Sequence, residues 1–160
     1  MKKAMLAILT VLSALALGHG NARAADQPQS FVVTVNLTPA CALGTVGGIT
    51  FTYTGAQAGA ATGSGGGFSL LCTTNLPYTF ALDNDGGAAT GSATSRTYQD
   101  AATLLNYTLA TPAAGTGTGS SQSLSITATM ASGQAGSCPS ASACDNAAST
   151  NRSRTLTVSY

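Results

Sequence analysis

Residues 31–37 place Phe31, Val33, Val35 and Leu37 on one face of an extended chain. Side chains alternate along a strand, so this period-two pattern predicts a β-strand with one apolar side. Thr38 and Pro39 set the segment off from Cys41. A strand that is apolar on one face, terminal and flexibly tethered has two ways to bury that face. It can fold into its own domain or into another copy of the chain.

The residues before it read as an export signal. Lys2 and Lys3 supply a positive start, an apolar run follows over residues 4–17, and Ala22, Arg23 and Ala24 have the small-x-small form that signal peptidase reads. The run falls short of the roughly 20 apolar residues of a membrane span. The expected division is therefore a signal peptide at 1–24, an N-terminal extension at 25–37 and a folded domain at 38–160. No second long apolar stretch follows, so no membrane span is expected after cleavage.

Cleavage after Ala24 leaves one domain's worth of chain. It retains Arg96, Arg152 and Arg154 against Asp26, Asp83, Asp85, Asp100 and Asp145, a net charge of −2. A basic footprint for nucleic acid or anionic lipid is missing. After Ala24 there is also no histidine, lysine, glutamate or tryptophan. General acid–base catalysis near neutral pH relies mostly on the first three, and imidazole is the commonest metal ligand. The expectation is a non-enzymatic protein with no catalytic, cofactor-binding or metal-binding residues and no cofactor.

Period-two runs recur along the chain. Ile49, Phe51 and Tyr53 share a face, as do Phe68, Leu70 and Cys72. Tyr78, Phe80 and Leu82 follow, then Leu105, Tyr107 and Leu109. A longer alternation takes in Leu124, Ile126, Ala128 and Met130, and Leu156, Val158 and Tyr160 close the chain. Gly, Asn, Asp and Pro clusters separate these runs, and the glycine-rich stretches 63–67 and 115–121 are expected to be loops. Many short strands with such punctuation predict an all-β sandwich, a barrel being the alternative that periodicity leaves open.

The four cysteines of an exported chain point to disulfides. Four thiols allow three pairings. Cys138 and Cys144 are close together in a Ser/Ala/Pro-rich loop, and pairing them locally leaves Cys41 with Cys72. Other motifs have plain readings. Asp83, Asn84, Asp85 and Gly86 resemble the front of a calcium loop, but the bidentate Glu that such a loop needs is missing, and the same residues suit a tight turn. Arg152 and Arg154 read as charges guarding a sheet edge.

Together these residues resemble the spore coat protein U domain family, which includes pilins of archaic chaperone–usher pili. The resemblance spans about residues 33–160. It is carried by the alternating segment running into Cys41, by Cys72 at the end of its strand, and by Tyr78 to Leu82 with the Asp/Gly turn. Arg96 ahead of the 105–109 run and the ending from Arg154 to Tyr160 complete it. Ala110, Thr111 and Pro112 depart from the family pattern, and the Cys138 to Cys144 loop looks like an insertion.

The resemblance implies an incomplete, pilin-type immunoglobulin-like β-sandwich, closed by a strand from outside. It implies three partners: a periplasmic chaperone, an outer-membrane usher and further subunits joined head to tail. Phe31, Val33, Val35 and Leu37 would be the donor side chains, and Leu156, Val158 and Tyr160 the strand that a chaperone pairs with. The implied protein is a secreted subunit of a surface fibre serving adhesion or biofilm formation. A tip adhesin, or a self-complete coat protein, is the alternative.

Overall fold

In the computed structural model, residues 27–147 and 149–160 are described, so the expected signal at 1–24 lies outside the described residues. Chain contacts divide the protein between Asn36 and Leu37. In the first unit, residues 27–36 are exposed and form no regular secondary structure. The strand pattern of residues 31–37 therefore has no strand partner among the described residues.

The second unit is all β. Its strands are β1 (Cys41–Leu43), β2 (Ile49–Thr50), β3 (Ala61–Thr62), β4 (Ser64–Gly65), β5 (Gly67–Cys72), β6 (Pro77–Leu82) and β7 (Thr90–Ser92). They continue with β8 (Ser95–Gln99), β9 (Asn106–Ala110), β10 (Gly115–Thr116), β11 (Gln122–Ser125), β12 (Thr127–Met130) and β13 (Leu156–Ser159). The helical geometry described is a single 3-10 turn, Asp85–Gly87, after β6. Pairing is antiparallel in the orders β1-β5-β11, β10-β6-β13 and β3-β12-β9-β8-β7, with β2 against β4.

Alternation does most of the folding work. In β5 and β6 every second residue is buried, which puts Phe68, Leu70 and Cys72 opposite Tyr78, Phe80 and Leu82 across the core. The Phe68 and Phe80 rings meet edge to face at 5.6 Å, and Tyr78 meets Phe80 at 5.4 Å. Each large side chain so buried contributes about 1.5–3 kcal/mol. The 122–130 alternation is one continuous path broken at Ile126, whose amide bonds Gly66 O at 3.0 Å. Its first half pairs with β5 and its second with β9 and β3, so the same run serves two sheets.

Several expectations change in detail. Phe51 and Tyr53 leave the strand begun at Ile49, and only β2 is extended there. The glycine-rich stretches are not purely loops, because β3, β4 and β10 pair within or beside them. Glycine makes these approaches possible. A Cβ on Gly65 would strike the Gly48 carbonyl, and one on Gly117 the Thr73 carbonyl. Gly65 also has φ +103, a conformation glycine adopts freely.

Cys41 is bonded to Cys72 and Cys138 to Cys144. The first bond crosses directly paired positions of β1 and β5. The second closes an exposed loop of short sequence separation.

Candidate functional site: an apolar cleft at the start of the last strand

β13 pairs with β6 on one side and has no strand neighbour on the other among the described residues. Its burial reflects that. Leu156 and Val158 point inward yet are only half-buried, whereas their counterparts in the doubly flanked β5 and β12 are buried. Tyr160 is 61% exposed, so the last aromatic of the pattern does not pack.

A cleft of about 720 Å³ opens at the start of β13, lined there by residues 152–155 and Leu156. Its buried apolar lining comes from Leu82, Tyr107, Leu109, Ile126 and Met130. Half-buried Val46, Ile49, Phe51 and Tyr53 line it from the chain after β1, and Leu156 lines it from β13. Half-buried apolar groups around buried ones mean that the core comes to the surface here. A solvent-facing trough of this kind retains apolar area that a suitable occupant would remove from water.

Polar groups gather towards residues 100–105 and 152–154. Arg154 is an inward-facing cation: its side chain is 11% exposed, Nη1 lies 3.1 Å from Asp85 Oδ1, and Asp85 is 23% exposed. Its guanidinium carbon stands 4.3 Å from the centre of the Tyr98 ring, and Nε donates to Tyr107 Oη at 2.9 Å. Burial opposes the Arg154 charge, but Tyr107 and Asp85 outweigh it and hold its pKa above the ordinary value. Tyr98 donates to Asp83 O at 2.7 Å, and burial, then the Asp83 charge, pushes its hydroxyl up to about 12. Burial likewise raises Tyr107. The two tyrosine rings stack at 5.5 Å.

The position of Arg154 ahead of the last strand predicts a charge guarding a sheet edge. The side chain instead anchors the entry to β13 from within, because the alternation that turns Leu156 and Val158 inward turns Arg154 inward too. The Asp83 to Gly86 motif forms a turn that serves this anchor. Gly86 takes φ 64, Asp85 holds Arg154, and Asp83 exchanges hydrogen bonds with Thr155, whose amide donates to Asp83 Oδ2 and whose carbonyl accepts from Asp83 N at 3.0 Å. Arg96 donates from Nε to Leu82 O at 3.2 Å. Asp100, 3% exposed, accepts from Thr103 N and Oγ1, both at 2.8 Å, and from Asn146 Nδ2 at 2.9 Å. Burial alone would raise the Asp100 carboxyl, but these bonds prevail and hold it below the usual carboxylate value.

The other singled-out residues fall in three places. Phe31, Val33, Val35 and Leu37 are 85%, 70%, 82% and 75% exposed, four large apolar side chains in water. Cys41 and Cys72 join β1 to β5, away from the cleft lining. Cys144 lies in the lining, with Asp145 and Asn146. Sequence reasoning passed over Tyr98, Asp100 and Asn146. The usable signal was parity, since Arg96, Tyr98 and Asp100 alternate as core residues do.

The family model described as Spore Coat Protein U domain matches residues 27–157. No curated protein and no solved structure matches the chain.

Proposed function

The chain belongs to the Spore Coat Protein U domain family, and from that premise we propose that it is a structural subunit of a surface fibre built by donor-strand exchange. It is exported, carries no catalytic role, and presents residues 31–37 as the strand that fills the cleft of the next copy. A periplasmic chaperone covers the cleft before assembly, pairing with Leu156, Val158 and Tyr160. An outer-membrane usher then exchanges the chaperone for the arm of the incoming subunit. The fibre serves adhesion or biofilm formation at the cell surface.

The observation that carries this reading is a complementarity within one chain. An apolar cleft meets the start of β13, whose outer edge has no strand neighbour among the described residues, and the same chain holds an arm with four exposed apolar side chains at strand spacing and no strand partner among those residues. A strand laid in the cleft would meet both the apolar area and the open backbone edge. Because arm and cleft are different surfaces, their contact is head-to-tail and propagates instead of closing. Four such side chains contribute about 6–12 kcal/mol of burial before ordering costs.

The test is the double variant Val33→Asp, Val35→Asp in the exported chain, produced with its secretion partners. The arm is exposed, so the monomer's unfolding free energy should stay within about 0.5 kcal/mol of the wild type. Polymer ladders on denaturing gels should disappear. A wild-type chain that stays monomeric with its arm protected from protease, and loses stability in the variant, would instead be self-complete and refute the proposal.

A further inference from the structure

The disulfide-closed loop and the two residues after it contribute Cys144, Asp145 and Asn146 to the cleft lining. Residues 137–145 are all exposed, so no apolar packing keeps the loop in that position. Three ties do so. Cys138 is bonded to Cys144, Ser137 N donates to Thr103 O at 2.6 Å, and Asn146 Nδ2 donates to the buried Asp100 carboxylate at 2.9 Å. Asp100 is itself fixed by Thr103, so the loop is clamped to the turn between β8 and β9. A loop that merely joined β12 to β13 would need none of this, since connecting segments are ordinarily mobile.

We propose that this loop is the end wall of the donor-strand site and sets how long a strand from a second copy is retained. The inference rests on the donor-strand reading above. The cleft lining at Asp100, Thr103, Asp145 and Asn146 is polar, so an apolar strand held in the cleft has no apolar partner there. With the wall clamped, the end of the strand at these residues meets fixed groups and is shielded from water. With the wall free, the same end is open to solvent and dissociation begins there. Asn146 acts through Asp100 as a positioning residue, and the disulfide limits how far the loop can swing.

The experiment uses a labelled synthetic peptide of residues 27–39 and the full mature chain, either wild type, Asn146→Ala or Cys138→Ser/Cys144→Ser. Peptide binding to the wild type tests the donor-strand reading by itself, and absence of binding there overturns that reading and this inference together. Given binding, the dissociation rate should rise about tenfold in Asn146→Ala, the size of one lost hydrogen bond, and should also rise in the cysteine variant, with the association rate changed less than twofold in both. Peptides shortened at either end locate the contact: trimming one particular end should make wild type and variants dissociate alike, and trimming the other should not. Unchanged dissociation rates, or equal sensitivity at both ends, overturn the inference. Unfolding curves for each chain separate the effect from global loss, because a rate change that simply follows the unfolding midpoint also counts against it.

Discussion

Replacing Arg154 with alanine tests whether the entry to β13 is held from within. The guanidinium is mostly buried and makes a 3.1 Å ion pair with Asp85, a 2.9 Å bond to Tyr107 and a face contact with Tyr98. Removing one partner of a fully buried pair costs about 3–5 kcal/mol. Asp85 keeps partial access to water, which lowers that figure, while loss of the stacking contact adds roughly 0.5–1 kcal/mol. The expected cost is therefore about 2–4 kcal/mol, or ~6–16 °C in Tm for a domain of this size. Urea unfolding of Arg154→Ala, Asp85→Asn and the double variant measures it, and the cycle isolates the pair. The double variant should be less destabilised than the two single costs added together, because each single change leaves a charge without its partner. A loss below about 0.5 kcal/mol in Arg154→Ala, the range of ordinary surface substitutions, would refute the argument. Strict additivity would refute the ion-pair part of it.

Two further outcomes follow from the same geometry. Breaking the Cys41–Cys72 bond by Cys41→Ser/Cys72→Ser opens a sequence separation of 31 and should cost about 3–4 kcal/mol in chemical unfolding; a cost under 1 kcal/mol would show that the bond is dispensable. The depressed Asp100 pKa stabilises the fold at pH values above the unfolded carboxylate value of about 3.9, and this contribution disappears as pH falls through the lower folded value. Acid titration of stability should therefore be less steep in Asp100→Asn than in the wild type, and identical slopes would contradict the assignment.

The core was legible because alternation is both the sequence signal and the packing rule. Phe68, Leu70, Tyr78, Phe80, Leu109 and Met130 are buried where period two puts them. The strand ends were less legible. Phe51 and Tyr53 keep the alternation but not the strand, because the pairing of β2 with β4 covers only Ile49 and Thr50, and their half-buried side chains line the cleft. The glycine-rich pairings were hidden, since glycine has no side chain to display a period. The exposed apolar alternation of residues 31–37 and the last strand could be read directly. The cleft could not, because it arises where residues 46–53, β9, β12 and β13 meet, and no local pattern records that meeting. The polar anchor at Arg154 is legible only against the general tendency of charges beside a terminal strand to face outward. Parity, followed one step further back from Leu156, gives the other answer.

The bond between Cys41 and Cys72 has a mechanical consequence. It encloses residues 42–71 in a covalent loop, and the 46–53 segment beside the cleft lies inside that loop. Tension applied between the arm and β13 therefore passes through the sulfur bridge into β5, and the enclosed chain cannot be drawn out while the bridge holds. The 46–53 part of the cleft wall thus lies outside the covalent path of that tension, whereas the cleft residues on β6, β9 and β12 lie within it.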